Sequence, residues 1–183
     1  MEDAGPADEA GLIAAAGRDR AAFAPLYRRY LLPVYRYFAR QTANAQDAED
    51  LTAATFDKAL VSLDRYREQG TFAAWLFSIA RHTLRDYQRR SRPHLDVDLI
   101  AEPAAAPGQP EAEALRAERL RLLGERLRRL PADQQEAITL RFFAELSVAA
   151  TAQTLGRSES AVRMLVHRAI TTLRRDYAQE EQP

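Results

Sequence analysis

The sequence predicts an all-α protein: two small helical domains, an N-terminal helical bundle and a C-terminal helix-turn-helix domain, joined by a flexible linker. Three observations carry this. Apolar residues recur at helical spacing in both halves, and β-branched residues nowhere alternate with polar ones over a useful length. Between the halves, Pro93, Pro103, Pro107 and Pro110 with Gly108 disfavour a continuous helix, because proline lacks a donor and restricts the residue before it. A chain of 183 residues also suits two small domains. The expected division is 10–92, a linker at 93–112, and 113–177.

Taken in order, GLIAAAGRDRAAFAPLYRRYLLPVYRYFARQ predicts two or three helices, with Phe23, Leu26, Tyr27 and Tyr30, then Val34, Tyr35 and Phe38, at helical spacing. Asn44 is placed to cap the next helix, which opens near Asp47 with acids suited to a helix N-terminus. A further helix runs from Thr71 to Arg90, with Phe72, Trp75, Leu76, Ile79 and Ala80 on its inner side. Beyond the linker, helices are expected at 113–129, 132–143, 147–154 and 159–177.

Composition narrows the chemistry. The chain has no cysteine, and His82, His94 and His167 are too scattered to pair as ligands, so no disulfide, metal or other cofactor is expected. No apolar run approaches the ~20 residues of a spanning helix. The acidic start MEDAGPADEA is unlike a signal peptide, so a cytosolic protein without membrane insertion is expected. Lys and Arg total 26 against 26 Asp and Glu, yet the charges are segregated. Residues 93–112 carry four acids and no cation, whereas Arg81, Arg85, Arg89, Arg90 and Arg92 crowd the segment before them.

Near the C-terminus, Gly156 follows Leu155 where a short helix must stop, and glycine accepts the left-handed conformation that stops one. Ser158 then stands as the cap of a longer helix. At 100° per residue, Val162, Leu165, Val166, Ala169 and Leu173 form its buried stripe. Ser160, Arg163, Met164, His167 and Thr171 fall on the opposite arc, with Arg168 at its edge. Small, cationic and hydrogen-bonding groups on the second helix of a helix-turn-helix suit a major groove, and Arg157, Arg174 and Arg175 lie where phosphates would run. The plainer reading, an exposed polar face of an ordinary helical hairpin, neglects this placement of arginines.

In the N-terminal half, Tyr66, Phe72 and Trp75 are interleaved with Arg65, Arg67, Arg81 and Arg85 around a loop at Glu68-Gln69-Gly70. Aromatic platforms beside cations are what unpaired bases require. Trp75, at helical spacing with Leu76 and Ile79, is read as core, which leaves the loop residues as the better candidates for base contact.

The blocks DAEDLT..TF, F..WLF.IAR and DY.RR, followed by LPADQQEAITLRFF and LS…A..LG.SES.V…..HRA, resemble the extracytoplasmic-function group of sigma-70 family RNA polymerase sigma factors, in the same order around a variable linker. The resemblance implies partners and roles by position. Asp47, Glu49, Asp50, Leu51, Thr52 and Phe56 match the block that docks on the clamp helices of the polymerase largest subunit, and Asp57 lies on the same outward face as Asp50. Tyr66, Arg67, Gln69, Gly70, Thr71 and Phe72, with His82 and Arg85, match the part that captures and melts the −10 promoter element. Arg157, Ser158, Ser160, Arg163, Met164, His167 and Arg168 match the part that reads the −35 element as duplex DNA. Further partners implied are the flap of the second-largest subunit and an anti-sigma factor.

The chain departs from the family pattern at His82, where asparagine is frequent, and at Met164 and Leu165, where serine and arginine are commoner; promoter preference therefore does not transfer from relatives. Thr151 stands where a large aliphatic residue is usual, which leads us to expect looser packing of the first helix of the motif. A flexible 20-residue linker averages ~25 Å end to end and extends to ~66–72 Å, so spanning sites ~50–55 Å apart would draw it out. Two other function classes stay open at this point. A conventional helix-turn-helix regulator accounts for residues 146–175 but not for DAEDLT..TF, and a non-catalytic helical adaptor ignores the arginines. An enzyme finds no nucleophile set, phosphate loop or metal spacing to rest on.

Overall fold

The computed structural model describes residues 6–67, 70–90 and 110–180. The described residues are mostly helical, with no strand among them. Helix α1 (Pro6–Ala16) leads through a 3₁₀ turn (Arg20–Phe23) into α2 (Ala24–Ala39); α3 (Ala45–Ser62) ends in a second 3₁₀ turn (Leu63–Arg65), and α4 (Phe72–Arg90) follows. The C-terminal half comprises α5 (Pro110–Arg129), α6 (Ala132–Ile138) running into a π-helical turn (Thr139–Phe143), α7 (Val148–Leu155) and α8 (Glu159–Glu180). Most of the expected linker lies outside the described residues, and α5 already begins at Pro110.

Local sequence explains the boundaries. Asn44 Oδ1 accepts from the Asp47 N–H at 2.7 Å and caps α3. Gly156 adopts φ +64° after α7, and the Ser158 hydroxyl accepts from Ala161 N–H at 3.2 Å to open α8. α2 continues through Pro33, because Leu26, Val34, Tyr37 and Phe38 on either side are fully buried and hold both turns in place.

The core is rich in rings. Tyr37 packs edge-on against Phe77 at 5.6 Å between centroids, and Phe23 against Phe56 at 6.4 Å. A second run of rings, Tyr30 to Phe72 to Tyr66 to Trp75, leads from this core toward the surface in steps of 5.4, 5.7 and 5.2 Å.

The two halves are docked, which the sequence did not lead us to expect. Leu140, Ala144, Leu146 and Ala150 belong to the same buried cluster as the N-terminal helices, and α7 lies along α4. Arg81 of α4 holds the Glu136 carboxylate through Nε at 2.6 Å and Nη2 at 3.1 Å, and its Nη1 donates to the Thr154 carbonyl at 2.5 Å. The π-helical turn aims two more groups across the junction. Phe143 lies under the Arg40 guanidinium at 4.9 Å, and Glu145, at φ +57°, accepts from Arg36 at 2.5 Å. A non-glycine residue held left-handed is strained, so this junction fixes Glu145 against its local preference.

Thr151 corrects the expectation of loose packing. It is fully buried, and its hydroxyl donates to the Ser147 carbonyl at 2.8 Å. The polar atom is satisfied within its own helix, so a small residue fills the site without a buried unpaired group.

Candidate polymerase and nucleic-acid surfaces

Three surfaces gather the residues singled out in the sequence. The first is a ridge on α3. Glu49, Asp50 and Asp57 are exposed, with the small Ala53 between them. Gln46 donates to Asp50 at 3.0 Å one turn earlier. Asp47 serves the fold instead: it accepts from the Asn44 amide at 2.8 Å and from the Tyr87 hydroxyl at 2.6 Å. Leu51, Thr52 and Phe56 point inward and are buried, and Thr52 donates to the Ala48 carbonyl at 2.7 Å. Their side chains hold the ridge in place rather than present themselves to a partner.

The second surface is a cleft of about 370 Å3 where α4 begins. Arg65, Tyr66, Arg67, Thr71 and Trp75 line it, together with Gln153 of α7. Gly70 takes φ +148°, a conformation other residues avoid. The Thr71 hydroxyl accepts from Ala74 N–H at 3.1 Å and caps α4. Phe72 is buried beneath the cleft and supports Trp75 at 5.3 Å without lining the opening. Trp75 is half-buried: its ring lies edge-to-face with Tyr66 and tilted against Phe72, and it also lines the cleft. Reading it as core from its spacing missed this second role, and its alternation with Tyr66 and the arginines was the available signal. Gln69 lies outside the described residues. Arg85 and His82 are exposed further along α4. His82 Nδ1 sits 2.7 Å from the Ser78 carbonyl, which can only accept. Nδ1 therefore carries the proton, and Nε2 of the neutral ring is left as an acceptor.

The third surface is the outer face of α8 with the turn before it. Ser158, Ser160, Arg163, Met164, His167 and Arg168 are all exposed, whereas Val162 and Ala169 on the opposite side are fully buried. Arg157 in the turn pairs with Asp133, and Arg163 with Glu159 at 2.6 Å. Both pairs are exposed and thus weak, so either arginine can exchange its carboxylate for a phosphate at small cost. The Met164 side chain is half exposed, an apolar group amid these polar ones.

Comparison with known proteins follows these surfaces. Residues 26–93 match the sigma-70 region 2 family, and residues 120–173 match the sigma-70 region 4 family. Among curated proteins, the chain is 39% identical over 157 residues to the ECF RNA polymerase sigma factor BldN of Streptomyces coelicolor, aligning 84% of this chain with 60% of that protein. It is 32% identical to the RNA polymerase sigma factor YlaC of Bacillus subtilis, over 82% of this chain and 89% of that one. Among solved structures, it resembles the sigma factor RpoE of Bartonella quintana, bound there to the anti-sigma factor NepR, with 29% identity, a TM-score of 0.60, and 84% and 94% of the two chains covered. It also shares the fold of CnrH in complex with the cytosolic domain of CnrY, at 24% identity and a TM-score of 0.71 over 93% and 97% of the chains.

Proposed function

This chain belongs to the extracytoplasmic-function group of sigma-70 RNA polymerase sigma factors, and on that premise we propose how its three surfaces divide the work of promoter recognition. The ridge of Glu49, Asp50 and Asp57 binds the clamp helices of the polymerase largest subunit. Carboxylates beside a small Ala53 let a basic helix approach closely and pair with them. The cleft takes an unstacked base of the −10 element, with Tyr66 and Trp75 to stack on, the Thr71 region to hydrogen-bond, and Arg65 and Arg67 to hold the backbone. The outer face of α8 enters the major groove at the −35 element. Within it Arg163 and Arg168 supply cations, Ser160 and His167 hydrogen bonds, and Met164 apolar contact.

The domains we assign are 10–92 for polymerase and −10 contacts and 113–177 for −35 contacts. One observation supports the reading: a cleft lined by Tyr66, Trp75 and two arginines occurs on one chain with an exposed polar and cationic face of α8, a pairing that a duplex-binding regulator does not need. The protein works by binding, in the cytoplasm, and polymerase makes the phosphodiester bonds. No helix among the described residues is long and apolar enough to cross a membrane. RpoE is held by an anti-sigma factor, and we extend a regulator of that kind, and a contact with the polymerase flap, to this chain. Run-off transcription with core polymerase on a promoter library randomised at −35 and −10 tests the proposal. Selective initiation from a subset supports it; no dependence on the added chain would overturn it.

A further inference from the structure

One hydrogen-bond donor of the proposed base-binding cleft is already taken by the chain itself. Gln153 reaches across from α7, and its Oε1 accepts from the Thr71 N–H at 3.1 Å. The fit is close: a Cβ added to Gly70 would lie 2.7 Å from Gln153 Oε1 and 3.0 Å from Nε2. A carboxamide sets an acceptor beside a donor, as the hydrogen-bonding edge of adenine or cytosine does. It thus satisfies the same backbone donor that a base in this cleft would meet.

The contact is held by its surroundings. Next to Gln153, Thr154 gives its carbonyl to Arg81 and brings its hydroxyl to 3.5 Å from the Ala74 carbonyl, while Arg81 grips Glu136 of α6. The junction also leaves a polar atom incompletely bonded within the protein: Arg40, over Phe143, has its Nε buried without a hydrogen-bond partner. Contacts of this composition can separate, because water can replace what the protein supplies.

We infer that Gln153 is an internal competitor for single-stranded DNA, so that α7 must leave α4 before the cleft can accept a base. The inference rests on the proposed −10 role of this cleft. It also divides the two DNA surfaces in the free chain, since the outer face of α8 stays exposed while Gln153 holds the Thr71 N–H.

Trp75 is the single tryptophan and lines the cleft, so its fluorescence reports occupancy directly. The full chain, Gln153→Ala and Glu136→Ala would each be titrated with a fully degenerate single-stranded DNA 12-mer at low salt. Gln153→Ala removes the competing carboxamide, whereas Glu136→Ala loosens the docking without touching the cleft. Each variant should be quenched at about three- to tenfold lower DNA concentration than the unaltered chain, the worth of one hydrogen bond released from competition. Equal midpoints for all three chains would overturn the competition while leaving the base-binding cleft intact. No quenching in any of them would overturn both.

Discussion

Reversing Asp50 and Asp57 to lysine tests the polymerase contact proposed for the α3 ridge with little damage to the fold. The two residues are seven apart on α3, two helical turns or about 10.5 Å along the axis, and lie within about 20° of each other around it. Both are exposed, and Gln46 is the neighbour that Asp50 engages. Asp50 lies beyond the first turn and Asp57 further still, so neither complements the helix dipole, which falls off within that turn. The folding cost should stay within about 0.5 kcal/mol. Binding is another matter, because each reversal exchanges an attraction for a repulsion. At about 1 kcal/mol each way for a solvent-screened pair, two sites sum to about 4 kcal/mol, close to a thousandfold in Kd. The assay is equilibrium binding of the labelled full chain to core polymerase at several salt concentrations, with circular dichroism melting as the folding control. The unaltered chain should weaken as salt rises, and the reversed one should bind poorly throughout. Full-strength binding by a properly folded D50K/D57K chain would refute the assignment of this face.

Three further outcomes follow from particular side chains. Thr151→Leu, which restores the residue type usual in the family, should destabilise this chain by about 1–3 kcal/mol in thermal melts, because the site is already full and its hydroxyl bonded. Burial raises the pKa of both Tyr30, helped by its hydrogen bond to Glu9, and Tyr37 well above the ordinary value of 10.0, so the unfolded chain releases these protons first. Stability should therefore fall as pH rises above about 10, by up to ~1.4 kcal/mol per pH unit for each ring. Absorbance at the tyrosinate band, compared with Tyr30→Phe and Tyr37→Phe, should show these two rings ionising only on unfolding. His82→Asn replaces a ring whose free Nε2 is an acceptor with an amide that can also donate; transcription from a randomised library should shift preference at one −10 position and leave −35 preference unchanged.

What was legible in the sequence was local. The Asn44 cap, the left-handed Gly156 and the Ser158 start of α8 each depend on a few adjacent residues, and the exposed face of α8 follows from its period. A family motif is less discriminating, because it names a block and not a face. DAEDLT..TF includes Leu51, Thr52 and Phe56, which the helical period turns into the core, together with Glu49, Asp50 and Asp57, which it turns outward. The docking of the halves had no local signature. Arg81 and Glu136 are 55 residues apart, and Thr71 and Gln153 are 82 apart. Phe143, which ends the π-helical turn, and Glu145 just beyond it likewise meet partners far away in the sequence, Arg40 and Arg36.

α4 retains one trace of that docking. Its buried residues Phe72, Leu76, Phe77, Ala80, Thr83, Leu84 and Ala74 span an arc of about 200°, wider than a helix with one neighbour needs. α2 and α3 cover part of it, and α7 approaches at Ala74, where a small side chain admits the second helix. Opening this contact exposes mainly alanine there, although Leu140 and Leu146 of the shared core make separation costly. The energy cannot come from the α3 ridge alone. Glu49, Asp50 and Asp57 take no part in the junction contacts described above, so a partner can grip them equally well whether the halves are docked or apart. A ligand with equal affinity for two states shifts neither. On the proposed assignments, the ridge would set how tightly polymerase is held, and opening would be driven by contacts on the C-terminal half that form only once α7 has left α4. The two effects separate experimentally: the D50K/D57K chain should lose polymerase and yet respond to single-stranded DNA, through Trp75, as the unaltered chain does.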